Sequence, residues 1–487
     1  MHRNVHPDSR ITIPLRLLAT GALVVLFGAG CGGDDKVAAP TEKACTECHE
    51  GIASLEAGSR HMVTLQDVAD ELAEERAGET PEEVLHGGDA ENCIACHAPT
   101  AILADGGMTE VEAMQYFFST ADGKFSAATE ATHAGDWPHV ACEACHDSPD
   151  GHQGLSSPQV AIFDSRLGKY TPLSDSSNLC GQCHGSLRFP DSDHLTHDAW
   201  RTSRHADTQQ DVADELAEER SGQSPHEVVA GDDPENCIAC HGPTAVLANG
   251  GMTEEAALGY FFSTSGGAFT GGTSILHEDE WPNVACAACH DPHNPDGPSY
   301  FNSETKQYEP IVDTPQLCGR CHGTLRFPDT DHLSYNVRAG TGGIGVADRQ
   351  LMPSVTSCVD CHMYVSDVDG SNSSMTHGHN FAVSVEEESG TTTSCDHCHA
   401  AMDVPAKIEE FQTSYADLDA VAAANVELAV AALEGATDPV LLAKLDEAQH
   451  NLAFAEGDES GGFHNHSYLM ALLNDANDRA LEILQTN

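Results

Sequence analysis

One five-residue motif contains almost all of the cysteine in this chain. The sequence has 487 residues and 19 cysteines, and every cysteine except Cys31 belongs to a copy of Cys-x-x-Cys-His. We name each copy by its first cysteine. The cysteine pairs are Cys45 and Cys48, Cys93 and Cys96, Cys142 and Cys145, Cys180 and Cys183, Cys237 and Cys240, Cys286 and Cys289, Cys318 and Cys321, Cys358 and Cys361, and Cys395 and Cys398. The histidines that end the motifs are His49, His97, His146, His184, His241, His290, His322, His362 and His399.

This spacing is typical of covalent haem attachment. Two thiols three positions apart can form thioether bonds to the two vinyl groups of one haem, and the adjoining histidine coordinates its iron. Zinc sites use paired Cys-x-x-Cys units about 15 to 20 residues apart, whereas successive motifs here start 32 to 57 residues apart. A disulfide framework suits an exported chain but does not explain one short spacing repeated nine times. We therefore predict nine covalently bound c-type haems, with the nine motif histidines as proximal iron ligands.

The overall composition agrees with a core that is filled partly by cofactor. Only 40% of the residues are hydrophobic and 6% are aromatic, which is little material for the interior of a chain of this length. The formal net charge is −55. That charge excludes a nucleic-acid-binding protein, because nothing in the chain would neutralise phosphates.

The N-terminus has the features of an export signal. Three arginines precede an apolar run over 17–29, which is too short to span a bilayer. Small residues before Cys31 and a polar tether after it resemble the lipidation box of bacterial lipoproteins, although Gly28 stands where that box usually has an aliphatic residue. We predict that 1–30 is a signal peptide and that a lipidated Cys31 holds the protein to a membrane surface in the bacterial cell envelope, in the periplasm or on the outer membrane. The alternative is a soluble exported protein with one spare thiol.

The chain contains an internal duplication. Residues 59–120 align without a gap on 203–264, with 44 identities in 62 positions. The similarity continues through two further motifs, so each copy holds three haem motifs. The predicted organisation is a tether with the first motif (31–58), trihaem repeat 1 (59–202), trihaem repeat 2 (203–336), a two-haem segment (337–402) and a helical region (403–487).

The segments between the motifs predict helices and loops, and strand signals are scarce. Apolar residues at helical spacing follow Thr64, and the pattern ends at Gly78. Thr109 and Glu112 form a capping-box pattern. Helical spacing continues beyond 403, with a second helix start at Asp438-Pro439. The predicted fold class is mainly α with extensive loops, a haem-filled core and a C-terminal helical hairpin or bundle.

Each iron needs a sixth ligand, and histidines at matching positions in the two repeats are the first candidates. They form three pairs: His61 with His205, His133 with His277, and His194 with His332. His293 follows the Cys286 motif closely and is a further candidate, although it has no counterpart in register.

The C-terminal part resembles a known family. Three segments resemble the pentahaem cytochrome c nitrite reductases and their multihaem relatives: Cys358-Val-Asp-Cys-His-Met363, Thr376-His377-Gly378-His379-Asn380-Phe381, and 456–473. The sequence Trp200-Arg-Thr-Ser203-Arg-His205 resembles another motif of that superfamily, which supplies a distal ligand. The resemblance implies that His379, or else His377, and His464 are distal ligands.

The chain also departs from those reductases. Their catalytic haem is bound by Cys-x-x-Cys-Lys, whereas all nine motifs here end in histidine. Two histidines on an iron leave no open coordination position, so the prediction is an electron carrier with mostly bis-His haems and no catalytic residue. We expect redox proteins as partners, such as a basic cytochrome or a membrane quinol-linked complex. The alternatives are a reductase of a small nitrogen or sulfur oxyanion, with one open haem near Cys45 or in 358–399, and a structural subunit of a membrane-bound complex.

Overall fold

The described part of the chain begins at the first haem-motif histidine. A computed structural model describes residues 49–87, 92–133, 135–136, 139–147, 159–173, 175–231, 234–280, 283–294, 297–350, 357–365, 375–383, 394–395, 399 and 402–486. The predicted signal peptide, Cys31, Cys45, Cys48 and Cys398 lie outside these residues, so the statements about them remain predictions.

Short helices make up the two repeats and the segment that follows them. The helix α1 Glu50–Glu56 precedes repeat 1. In repeat 1 the helices are α2 Thr64–Glu74, α3 Pro81–His86, α4 Cys93–His97, α5 Glu110–Phe117, α6 Cys142–Cys145, α7 Ser176–Cys180 and α8 Thr196–Arg201. In repeat 2 and beyond they are α9 Thr208–Glu218, α10 Pro225–Ala230, α11 Cys237–His241, α12 Glu254–Phe261, α13 Cys286–Cys289, α14 Thr314–Cys318, α15 Ser334–Ala339 and α16 Cys358–His362.

Equivalent helices of the two repeats begin with the same capping residues. Thr109 accepts a hydrogen bond from the Glu112 amide at the start of α5, and Glu112 bonds back to the Thr109 amide, which confirms the predicted capping box. Thr80 begins α3 and Ser224 begins α10 with the same reciprocal pattern, each followed by proline. The capping box is therefore shared by α3 and α10, whereas α12, the counterpart of α5, begins at Thr253 without one because Ala256 replaces the glutamate.

Each repeat has its own small hydrophobic core. In repeat 1, Val68 and Leu72 of α2 are fully buried in a cluster with the aromatic residues of α5 and others later in the repeat. In repeat 2, Val212 and Leu216 of α9 occupy the equivalent positions. The second residue of a haem motif lies inside each core, because Ile94 and Ile238 are both 0% exposed. The repeat cores thus fix the position of one haem motif each.

Three long helices form the C-terminal region: α17 Val404–Ala432, α18 Pro439–Glu456 and α19 His466–Thr486. The Asp438 side chain caps α18 by accepting from the Val440 amide at 2.9 Å, with proline at the first helical position as predicted. Helix α19 packs against both α17 and α18. About half of the described residues are helical, which confirms the predicted mainly α fold class.

The structure also contains β-hairpins, which the sequence analysis did not predict. Strands β1 His146–Asp147, β2 Gln159–Asp164 and β3 Lys169–Pro172 form one antiparallel sheet, and β4 Ser299–Asn302 pairs with β5 Gln307–Pro310 in repeat 2. Phe163 lies opposite Tyr170, and Phe301 lies opposite Tyr308. These phenylalanines are buried in the two repeat cores, so the hairpins close one side of each core.

No helix in the described part of the chain is both long enough and apolar enough to cross a membrane.

Candidate functional site

Seven motif histidines each face a second histidine at nearly the same distance. The ring centroids are separated by 6.3 Å for His97 and His194, 6.2 Å for His146 and His293, 6.2 Å for His184 and His61, 6.0 Å for His241 and His332, 6.1 Å for His290 and His379, 6.2 Å for His322 and His205, and 6.1 Å for His362 and His464. The second histidine of every pair is one that the sequence analysis selected as a distal candidate.

This spacing fits one iron atom between the two rings. A coordinating imidazole nitrogen lies about 2 Å from its metal and about 1 Å from its own ring centre, so two rings on opposite sides of one iron have centroids about 6 Å apart. When bound there, haem supplies an iron that changes oxidation state while both axial positions are filled. The pairs therefore have the geometry that bis-His ligation requires.

Burial keeps several of these rings in the form that binds metal. Desolvation, with a smaller contribution from neighbouring histidines, lowers the pKa of His184, His205 and His322 to about 4. The pKa of His379 is likewise lowered to about 4, mainly by burial. A neutral imidazole has the nitrogen lone pair that coordination needs, so these side chains are ready to bind iron at neutral pH.

His332 and His464 have acidic partners. Glu459 lies 3.0 Å from Nδ1 of His332, and this hydrogen bond raises the pKa of His332 to about 9 despite partial burial. Asp458 lies 2.6 Å from Nδ1 of His464. A carboxylate on Nδ1 leaves Nε2 as the nitrogen that faces the metal, as in other metal-bound histidines.

The structure does not bring His133 or His277 to a haem motif. His133 stacks on Tyr116 at 3.9 Å between ring centroids and bonds the Tyr116 carbonyl through Nδ1, and His277 stacks on Tyr260 at 4.1 Å. Both residues have positive φ, 53° and 55°. Within the described residues neither ring contacts a motif histidine. This shared turn accounts for their repetition in both copies. The described structure gives no support for them as distal ligands, and that assignment stays a prediction.

The thiols of different motifs touch one another and define two rows. Burial and a hydrogen bond to Cys183 raise the pKa of the Cys96 thiol, and a bond to Cys240 does the same for Cys321. Cys180 is likewise bonded to Cys286, and Cys318 to Cys358. The first haem row is the Cys93, Cys180 and Cys286 motifs, and the second haem row is the Cys237, Cys318 and Cys358 motifs. An electrostatic interaction between Cys289 and Cys318 links the two rows.

A buried arginine supports the first row. Arg188 donates to the Ala95 carbonyl, inside the Cys93 motif, at 3.0 Å and to the Asp164 carboxylate at 2.9 Å. Arg326 occupies the same place in repeat 2 and donates to the Ala239 carbonyl. The sequence analysis did not select these arginines, although the identical Leu-Arg-Phe-Pro-Asp in both repeats would have found them.

Comparison with known families identifies the chain. The sequence profile described as cytochrome c552 matches residues 53–221 and 353–484, which together are more than half of the chain. The chain belongs to the cytochrome c552 family. It is therefore a multihaem c-type cytochrome with covalently bound haems, and the resemblance noted in its C-terminal part is confirmed.

The family match also explains the duplication. The two matched segments contain five haem motifs, those at Cys93, Cys142, Cys180, Cys358 and Cys395. The unmatched stretch between them contains the three motifs of repeat 2, and a doubled CXXCH profile matches 282–327 there. The three motifs of repeat 2 thus lie between the two matched segments, and the Cys45 motif precedes both.

Two solved structures are similar in overall trace. The outer cell wall cytochrome OcwA aligns over 80% of this chain and 76% of its own, with 18% identity and a TM-score of 0.42. The undecaheme cytochrome from the S-layer of Carboxydothermus ferrireducens aligns over 92% of this chain and 70% of its own, with 16% identity and a TM-score of 0.41. No curated protein sequence matches the chain.

Proposed function

We propose that this cytochrome is an exported electron carrier with nine haems, most of them bis-His ligated. The observation that supports it best is the set of seven histidine pairs with centroids 6.0 to 6.3 Å apart. Two imidazoles on one iron leave no position for a substrate, so the chain favours electron transfer over chemistry at these seven sites.

The two haem rows support a continuous path for electrons. Sulfur atoms of successive motifs are in contact along each row, so cofactors attached to them are neighbours. The inserted repeat extends the chain of sites by three motifs with the same local structure. Repetition of one unit suits a carrier, because a longer path needs only more sites of the same kind.

An oxyanion reductase is the second candidate. The facing histidines limit the motifs at which its open haem could be attached. Seven motif histidines have a facing histidine, including His97 and His362. An open haem would therefore belong to the Cys45 or the Cys395 motif, most of whose residues lie outside the described ranges.

Spectroscopy of the full-length haem-loaded protein tests the function. We expect nine covalent haems by mass spectrometry and a low-spin spectrum that added nitrite does not change. A high-spin fraction near one haem in nine that shifts with nitrite would contradict the carrier and support the reductase.

We further propose that the protein is held to the cell envelope by lipid on Cys31. The apolar run 17–29 and the small residues before Cys31 support this location. Growth with labelled fatty acid should label the wild type but not a Cys31→Ser variant. The partner we propose is a redox protein with a basic docking surface, since the chain has 77 acidic against 22 basic residues.

A further inference from the structure

Two adjacent acidic residues hold the distal histidines of two different haem motifs. Asp458 and Glu459 lie between α18 and α19. His464 Nδ1 donates to Asp458 Oδ1 at 2.6 Å, and His332 Nδ1 donates to Glu459 Oε1 at 3.0 Å. By the pairs described above, these histidines serve the Cys358 and the Cys237 motifs. One short loop therefore contacts ligands at both ends of the second haem row.

The loop is held firmly in place. The side chain of Asp458 is 0% exposed, and the Ser460 hydroxyl donates to its second oxygen. Ser460 also accepts from the His464 amide at 2.9 Å. The Leu333 amide, next to His332, donates to the Gly457 carbonyl at 2.8 Å. Backbone and side-chain bonds thus fix the two carboxylates relative to both histidines.

The equivalent pair in the first row lacks this contact. His194 corresponds to His332, and among the described residues no acceptor lies within hydrogen-bond distance of its ring. The nearest carboxylate, Asp193, is 3.7 Å from Nε2. Their proximal partners are alike, because Nδ1 is buried in both His97 and His241 and each ring lies by the backbone of an equivalent threonine, Thr64 or Thr208. The two equivalent pairs therefore differ in the Glu459 hydrogen bond.

We propose that Asp458 and Glu459 are positioning residues that lower the reduction potentials of two haems in the second row, so that this row donates electrons to the first. The inference rests on the proposed function, because it requires His332 and His464 to be iron ligands. A carboxylate that accepts the Nδ1 proton makes the imidazole a better electron donor, which favours oxidised iron. Electrons then move from the second row to the first where Cys318 and Cys289 are close enough to interact electrostatically.

Glu459→Gln in the full-length haem-loaded protein tests the proposal. Glu459 is 68% exposed, so glutamine there should leave the fold intact. Potentiometric titration should show that the reduced-to-oxidised ratio of one haem, at a fixed potential, rises about threefold, or about 28 mV for a one-electron couple. The low-spin spectrum should not change. Asp458→Asn should raise the potential of a different haem by more, because Asp458 is buried.

Asp331→Asn is the matched control. Asp331 is 94% exposed and lies 3.8 Å from His332 Nε2, so this variant removes the same charge from a carboxylate that accepts no hydrogen bond from the ring. We expect the haem reduction potential to shift by less than half as much in Asp331→Asn as in Glu459→Gln. Equal shifts in the two variants, or unchanged potentials in a low-spin Glu459→Gln protein, would overturn the inference and leave the carrier function standing. An unchanged spectrum in His332→Ala would instead overturn the ligand assignment on which both proposals depend.

Discussion

His293 faces His146 with ring centroids 6.2 Å apart and ring planes only 7° from parallel. His146 ends a motif of repeat 1, whereas His293 follows the Cys286 motif of repeat 2. The next such pair repeats the arrangement, because His290 of repeat 2 faces His379 of the following segment. Each repeat therefore has one motif histidine that faces a histidine from the part of the chain that follows it. If these rings share an iron, as we propose, ligation links successive segments.

This relationship predicts that His293→Ala affects both a haem and the contact between repeats. Loss of the histidine that faces His146 should convert one haem from low to high spin, seen in the visible and electron paramagnetic resonance spectra. The midpoint of thermal unfolding should also fall, because a link between segments is lost. His226→Ala is the control, since His226 is exposed and bonds only Glu255. A low-spin spectrum in His293→Ala would contradict the pairing.

Replacement of a distal histidine within a repeat should act on one haem alone. His205 faces His322 and is the copy of His61, which faces His184. We expect His205→Ala and His61→Ala each to give high-spin signal from about one haem. His277→Ala should leave the spectrum unchanged, because its ring stacks on Tyr260. A high-spin signal from His277→Ala would restore it as a ligand.

The sequence predicted the haem motifs and all seven histidines that face a motif histidine in the described structure, and its failures have clear causes. The requirement for a histidine at matching positions in both repeats selected His61, His194 and their copies. It also selected His133 and His277, because duplication preserves residues that form turns as well as residues proposed to bind iron. His293 is out of register because it faces a motif histidine of the other repeat, a relationship that only the three-dimensional arrangement shows.

The hairpins were missed for a related reason. The strand Gln159–Asp164 is a short apolar run, which periodicity alone does not distinguish from a buried helix or loop. Its turn uses Gly168 at φ 60°, and repeat 2 uses Lys306 at φ 55°. A lysine gives no turn signal in the sequence, so comparison of the two copies did not reveal the hairpin.

Gly181, inside the Cys180 motif, should not tolerate a side chain without a loss of stability. A Cβ atom at Gly181 would lie 2.5 Å from Cγ of His197, which is 1% exposed. We expect Gly181→Ala to lower the free energy of unfolding by about 1 to 3 kcal/mol, because the buried ring has no room to move. The measurement is chemical denaturation together with haem content.

Two further variants check the cause of that loss. Gly271→Ala is the control, because no atom lies within 4 Å of its added Cβ. The double variant Gly181→Ala with His197→Ala should be less destabilised than the sum of the two single variants, since the clash is removed. Strict additivity would show that the His197 ring is not the obstacle.

The buried arginine of repeat 1 should contribute more to stability than its exposed neighbour. The Arg188 side chain is 3% exposed and bonds Asp164 and the Cys93 motif. Arg188→Ala should cost about 3 kcal/mol in the free energy of unfolding, because a buried carboxylate loses its main partner. Arg166 contacts the same carboxylate at 3.5 Å but is 45% exposed, so Arg166→Ala should cost less than about 1 kcal/mol. Equal losses of unfolding free energy for the two variants in denaturant titrations would contradict the larger contribution of Arg188.

The strongly acidic surface should steer a basic redox partner. Helix α9 exposes Asp214, Glu218 and Glu219, and α2 exposes the equivalent carboxylates. If these helices guide association, stopped-flow electron exchange with a small basic cytochrome should slow steeply as ionic strength rises, because salt screens attraction between exposed charges. Neutralising Asp214, Glu218 and Glu219 together should lower the low-salt rate and weaken its salt dependence.

A matched set of neutralisations shows whether the position of the charge matters. Glu409, Glu427 and Glu434 are exposed on α17 or directly after it, in the C-terminal region. Their replacement by glutamine removes the same charge at another place, and we expect a smaller effect on the rate. If both triple variants slow exchange equally, only the net charge attracts the partner. A third outcome is that neither triple variant slows electron exchange and that the wild-type rate does not depend on ionic strength. The acidic residues then serve solubility, because removing charges from a docking surface on α2 and α9 must lower the exchange rate.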